Sequence, residues 1–341
     1  MKFVYHPRSL EHVQWAGHPE RPERVKAIVE RLEADGRGDS FLTPPPASKR
    51  DVCHVHDEAF VEKLAHAQEG PYDADTFVRP ATYQLALISA GAGLAACRHA
   101  MAKKEEAFAL TRPPGHHAGT TFAGGFCYFN NAAIAAHHLS KEEGLAPVAI
   151  VDLDVHHGNG TQEIFESRKD ILYLSTHQAG IFPGTGRVDE VGRDAGEGHI
   201  VNIPLPEAAG DATFRLAWER VMLPILELAK PKAVLVSLGL DAHYEDPLAG
   251  LTLTSPAYID LCTRVAAFAR ENARMPAVFM LEGGYNLAAL AETVAGIASS
   301  VEQKPFATAL NDVKDYRAVG TAAVEEAQSV QSKFWGLPEP R

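Results

Sequence analysis

Apolar positions along the chain fall into two kinds of run. Residues 107–111 (AFALT), 148–155 (VAIVDLDV), 171–176 (ILYLST), 199–205 (HIVNIPL), 233–240 (AVLVSLGL) and 277–284 (AVFMLEGG) are short and almost continuously apolar, and residues 1–6 (MKFVYH) resemble them. A run of strand length with no polar face predicts a strand covered on both sides. Between these runs lie segments of helical spacing. Val25, Ile28, Val29 and Leu32 share one helix face that ends near Gly36. Residues 56–70 read as a helix opened by Asp57 and closed by Gly70. Residues 81–106 read as a long buried helix rich in small residues, 42–51 (LTPPPASKRD) as a loop, and 323–341 as a closing helix with a polar tail. Strands alternating with helices predict an α/β fold, a largely parallel sheet with helices on both faces. No internal repeat or low-complexity tract interrupts the pattern.

Composition narrows the function classes. Of the 341 residues 46% are hydrophobic and 22% charged, enough apolar material for a large core. The net charge is −12 with no basic run, which argues against a nucleic-acid partner. An acidic surface attracts cationic ligands and equally serves solubility. Cys53, Cys97, Cys127 and Cys262 are scattered, with no C-x-x-C pair, so no disulfide framework or cysteine metal cage is expected. The first residues turn polar after five positions, unlike a signal peptide. No apolar run approaches the ~20 residues of a membrane span. The expectation is a cytoplasmic protein with no membrane partner; a homo-oligomer stays open.

Polar residues gather where the apolar runs stop. Open α/β sheets bind ligands at the carboxyl ends of their strands. Residues two apart on a strand point the same way, so Asp152, Asp154 and His156 share a face, and His157 faces away unless the turn rotates it. Asp241 ends another run. Two carboxylates and one imidazole would hold a metal with a coordination position free, the mark of a catalytic site; alternatively Asp154 and Asp241 cap helices and His156 packs in the core. His116 and His117 sit in a Gly/Pro-shaped loop, and Tyr285 follows two glycines, where its hydroxyl could donate to an oxyanion.

The stretches HPERPER, RPPGHHA, GGFCYFNNAAIAA, VDLDVHHGNGTQ, FPGTG, GLDAHYEDPLAGL and LEGGYN, in order from about residue 18 to 290, together resemble the zinc-dependent histone deacetylase family. That family includes bacterial histone deacetylase-like amidohydrolases and acetylpolyamine amidohydrolases. The resemblance implies an arginase-like three-layer α/β/α fold with a sheet of about eight strands, a single catalytic domain over residues 1–341 (closing helix and tail from about 305), and zinc-dependent hydrolysis of acetamides. By motif, Asp154, His156 and Asp241 match the zinc ligands; His116, His117 and Tyr285 match the catalytic residues; Asp152 matches the carboxylate behind His116. Asp152 and Asp154, with backbone near His156 and with Ser175, match a potassium site. Gly125 matches a backbone group at the substrate, Phe126 and Phe182 the tunnel walls, and Arg24 an inner-channel arginine.

Two positions depart from parts of the family. Asn159 stands where some members have aspartate beside His117; it could equally cap the next helix, with Gln162 three residues on. Leu248 stands where a polyamine-preferring branch has glutamate, so the lysine deacetylases are the better match. Glu69, Asp73 and Asp75 could attract a cationic substrate, but read better as a solvated acidic loop. An acetylpolyamine deacetylase, an arginase-type ureohydrolase and a non-catalytic acyl-lysine binder are the competing readings. A mixed O,O,N site could also take Fe²⁺ or Co²⁺.

Overall fold

The computed structural model describes residues 1–312 and 319–338; the last residues of the expected tail lie outside these. Eight strands form the main sheet: β1 (Lys2–Val4), β2 (Phe41–Leu42), β3 (Ala107–Ala109), β4 (Val148–Asp152), β5 (Ile171–Gln178), β6 (Ile200–Leu205), β7 (Ala233–Leu238) and β8 (Val278–Leu281). Their order is β2-β1-β3-β8-β7-β4-β5-β6, and every pairing within the sheet is parallel.

Both faces of this sheet are covered, as the continuous apolar runs require. Along β4, Ala149 and Val151 join one core while Val148 and Ile150 join the other; along β7, Val234 and Val236 oppose Ala233 and Leu235 in the same way. Each buried Val, Leu or Ile contributes about 1.5–3 kcal/mol. Helices α1 (Glu23–Ala34) and α6 (Ser255–Asn272) both pack on α7 (Leu287–Val301), and all three feed the first core; α3 (Thr82–Lys103) and α4 (Asn131–His137) feed the second. The remaining labelled helices are α2 (Glu58–Ala65), α5 (Asn159–Phe165) and α8 (Thr321–Trp335).

Some expectations need correction. The helix read as closed by Gly70 is α2, Glu58–Ala65, and Gly70 instead pairs with Val78 in a short antiparallel ribbon. Part of the loop expected at 42–51 is ordered: Leu42 ends edge strand β2, and Ser48 with Asp51 forms a capping box on the helix Lys49–Cys53. The strand expected at 171–176 runs on to Gln178. The 22-residue α3 has the length and hydropathy of a membrane span, but 78% of its most apolar window is buried inside the protein, as in a core helix. Its glycines explain how: a Cβ at Gly91 would stand 2.1 Å from Pro45 O, so α3 lies directly against the 45–47 backbone.

Parallel pairing puts all carboxyl ends at one edge. In the consecutive strands β3, β8, β7, β4 and β5, these ends lead to His116–His117, Tyr285, Asp241, Asp154–His156 and Phe182.

Candidate metal centre and active site

Asp154, His156 and Asp241 each present a ligand atom, all within 4.8 Å of one another. His156 Nδ1 lies 3.1 Å from Asp154 Oδ1 and 3.3 Å from Asp241 Oδ2. Asp241 Oδ2 is buried and makes no aligned hydrogen bond. An orphaned carboxylate oxygen beside another carboxylate and an imidazole is a donor set with the charge and chemistry for a divalent cation. Burial alone would lower the His156 pKa, but the two carboxylates outweigh it and push it up to about 10. Glycines keep the carboxylates close: a Cβ on Gly239 would stand 2.1 Å from Asp154 Oδ2, and one on Gly283 2.0 Å from Asp241 Oδ2. The other fixed oxygens accept backbone N–H groups, Asp154 Oδ2 from Gly283 (2.8 Å) and Asp241 Oδ1 from Val155 (2.9 Å). Neither aspartate caps a helix.

The tandem histidines lie beside this group in unlike environments. His116 Nδ1 is 3.2 Å from Asp152 Oδ2, which also accepts from Tyr173 Oη (2.9 Å). Burial lowers the His116 pKa, yet Asp154 and Asp152 reverse this and raise it to about 10. His117 is held well below its ordinary value by burial and by His116 and His156. Its Nδ1 is 2.8 Å from Asn159 Oδ1. Asn159 opens α5 without capping it, since Gly158 is the cap residue, and Gln162 instead meets His157 Nε2 at 3.0 Å. His157 has turned away from the metal group, its Nδ1 2.8 Å from Thr185 Oγ1.

A cavity of about 90 Å³ unites most of the expected residues. His116, His117, Gly125, Phe126, Asp154, His156, Phe182, Leu248 and Tyr285 line it, with Asp75, Pro114 and Gly283. Gly125 (φ +54°) and Phe126 (φ +69°) form a tight turn closed by Gly124–Cys127 hydrogen bonds. A Cβ on Gly125 would lie 2.4 Å from His117 Cδ2, so the turn needs glycine there. Phe182 stands edge-on to His117 and Phe126 edge-on to Tyr285, ring centroids 5.0 and 6.1 Å apart. Phe182 and Leu248 are 48% and 40% exposed, which puts them at the mouth. Burial holds the Tyr285 hydroxyl protonated, its pKa well above the ordinary value. Arg24 does not line the cavity. Fully buried behind Tyr285, it donates to Gly284 O and Glu282 O, both at 2.5 Å, with its guanidinium 4.9 Å from the Tyr285 ring. Ser175 is the register partner of Asp152 across β4–β5, its Oγ 2.9 Å from His177 Nδ1.

Two residues, Glu282 and Asp246, escaped the sequence reading, and Asp75 takes the less favoured of its two readings. Asp75 lines the cavity although its loop reads as solvated; Asp73 Oδ1 accepts the Asp75 and Thr76 N–H groups and folds the loop inward, while Glu69 is taken up by Arg79. Glu282, fully buried, accepts from Gly115 N (2.7 Å) and His116 N (3.2 Å) and so holds the histidine loop. Asp246 binds the Tyr285 turn. A charged residue inside an otherwise buried motif is the signal that could have found the last two. A second group, His54, His137 and Glu142, also converges within 4.8 Å, but Arg168 beside His137 opposes a cation there.

A parallel sheet with two carboxylates and an imidazole gathered at its strand ends defines an α/β protein with a candidate metal centre, and comparison makes the class specific. The histone deacetylase domain model matches residues 18–301. The chain is 36% identical over 352 aligned positions to a probable deacetylase of Archaeoglobus fulgidus, covering 97% of this chain and 98% of that one. It is 41% identical to histone deacetylase 14, chloroplastic, of Arabidopsis thaliana (82% and 71% covered), and 36% identical to the histone deacetylase-like amidohydrolase of Pseudomonas aeruginosa (84% and 79%). The solved HDA15 HD domain superposes with a TM-score of 0.89 at 31% identity, over 98% of this chain and 95% of that chain. The chain belongs to the histone deacetylase family and is a hydrolase acting on amides.

Proposed function

We propose that this protein is a zinc-dependent deacylase that removes acetyl groups from acetyl-lysine or small acetylated amines. The observation that carries the reading is the meeting, on one cavity, of the Asp154–His156–Asp241 donor set with His116, His117 and Tyr285. Asp154, His156 and Asp241 would hold the ion, Zn²⁺ in our reading, with Fe²⁺ or Co²⁺ as alternatives. Bound there, it supplies Lewis-acid polarisation of the acetyl carbonyl and acidifies water. The residues of the chain do the rest. His117, neutral and with Nδ1 directed at Asn159, is poised to take a proton from water. The Tyr285 hydroxyl, always protonated, donates to the oxyanion. His116, kept cationic by Asp152 and Asp154, can return a proton to the leaving amine. Gly125, Phe126, Phe182 and Leu248 surround the acyl chain, and Arg24 braces the Tyr285 turn from behind.

The apolar mouth at Leu248 and Phe182 favours an acetyl-lysine side chain over a free acetylpolyamine. Asp75 offers an acceptor for the N–H groups or cation of either class. A K⁺ ion between Asp152, Asp154, the His156 backbone and Ser175 belongs to the same reading, supported by the pairing of Asp152 with Ser175 across β4–β5 and by the Asp154 N–H donating to Asp152 Oδ1 (3.2 Å). The four cysteines are free thiols, in keeping with a cytoplasmic setting. The test is acetate release by the zinc-loaded protein from an acetyl-lysine peptide and from N-acetylputrescine, side by side. Preference for the peptide supports the lysine reading, preference for the polyamine replaces it, and no release from either removes the acetyl specificity.

A further inference from the structure

The loop after β7 carries a buried carboxylate that none of these steps uses. Asp246 is 7% exposed, and none of the ion pairs among the described residues includes it. Its oxygens instead accept three backbone N–H groups: Oδ2 from Tyr285 (2.6 Å) and Asn286 (3.2 Å), and Oδ1 from Leu248 (3.1 Å). One carboxylate thus ties the turn that presents Tyr285 to the loop that presents Leu248, and both of those side chains line the same cavity. A second link runs alongside it, Asn286 Nδ2 to Glu245 O at 3.1 Å. Burying an anion without a counter-ion costs free energy that these three N–H donors offset. The arrangement needs acceptors on both oxygens. An amide has only one acceptor oxygen, and its NH₂ would face a donor.

We propose that Asp246 is a positioning residue that sets Tyr285 for the reaction and couples it to Leu248 at the mouth. The proposal rests on the reading of Tyr285 as the oxyanion donor. Substituting Asp246→Asn must break one arm of the clamp. Asp246→Glu keeps both acceptors one methylene further out and should restore part of what asparagine loses.

Two measurements on the metal-loaded full chain test this. The first is amide hydrogen exchange of segments 284–288 and 247–250, read by mass spectrometry in the wild type, Asp246→Asn and Asp246→Glu. Faster exchange in at least one segment of Asp246→Asn, partly restored in Asp246→Glu, is expected; unchanged exchange in both segments overturns the clamp. The second is kcat and KM for Asp246→Asn, Tyr285→Phe and the double variant. A misplaced catalytic group costs roughly 10²-fold, so Asp246→Asn should lower kcat by about that factor. If Asp246 acts through Tyr285, the double variant falls no further than Tyr285→Phe alone; losses that multiply overturn the coupling. Should the wild type turn over no acetylated amine, the Tyr285 reading fails, and the exchange result alone decides the clamp.

Discussion

Replacing Tyr285 with phenylalanine isolates one hydroxyl. The ring packs edge-on to Phe126 and beneath Arg24, and the residue is 8% exposed. Phenylalanine keeps all of that contact. Among the described residues nothing receives a hydrogen bond from the Tyr285 hydroxyl, so its removal should change folding stability by no more than about 0.5 kcal/mol. The phenol remains protonated because burial, helped by Asp241 and Asp154, outweighs the opposing pull of Arg24. It is therefore a donor throughout the neutral range, on a residue that lines the cavity where the proposed reaction would make the acetyl oxygen negative. Loss of one such donor costs about 2.7–4 kcal/mol, or roughly 10²–10³-fold in kcat. The assay is steady-state acetate release by both proteins at equal metal content, with melting curves as a folding control. A kcat loss below about threefold, or an effect confined to KM, would refute the assignment.

Other perturbations address the metal, the mouth and the fold. Asp241→Asn should lower bound metal per chain, measured by elemental analysis after dialysis, and unchanged stoichiometry would remove Asp241 from the ligand set. Gly283→Ala should weaken metal binding by roughly tenfold or more without replacing a ligand, because its Cβ would stand 2.0 Å from Asp241 Oδ2 and 2.7 Å from Asp154 Oδ2 and push them apart; competition with a chromophoric chelator reads this directly. Leu248→Glu places an anion at the mouth and should raise the ratio of N-acetylputrescine to peptide turnover by roughly tenfold, whereas a constant ratio would take Leu248 out of substrate selection. His56, buried with Nδ1 at Gly119 O (2.8 Å) and Nε2 at Asn130 N (2.9 Å), is lowered to about 4, chiefly by burial. Its folded pKa lies below the unfolded ~6.5, so the unfolded state binds the extra proton. Stability is unaffected above pH ~6.5 and falls as pH drops toward 4, by up to about 3 kcal/mol. Denaturant melts from pH 7 to 4 should show this slope reduced in His56→Gln, and equal slopes would exclude His56 as the titrating group.

Much of the architecture follows from local pattern. A strand buried on both faces can only be written as a continuous apolar run, so β3 to β8 were all visible, and the polar residues just beyond them marked the edge where a site would form. Asp154, His156 and Asp241 stood out as candidates because they put ionisable groups at the ends of buried runs, where burial would penalise unpaired charge, and the tandem histidines and Tyr285 stood out by their Gly/Pro-shaped loops and by motif. The edge strand Phe41–Leu42 was not legible, since two residues beside a proline triplet carry no periodicity and pair only because β1 lies alongside. Asp246, Glu282 and Asp75 read as ordinary polar residues for a related reason. Asp246 and Glu282 are met by backbone N–H groups, which every sequence possesses, 39 and 167 positions away, whereas Asp75 accepts from the neighbouring Thr76 hydroxyl in a loop whose inward fold no local pattern marks. Side-chain type and spacing set which groups could do chemistry. Strand order and the convergence of five parallel strand ends decided which of them meet, because contacts across a sheet depend on chain crossovers that no local run of residues encodes.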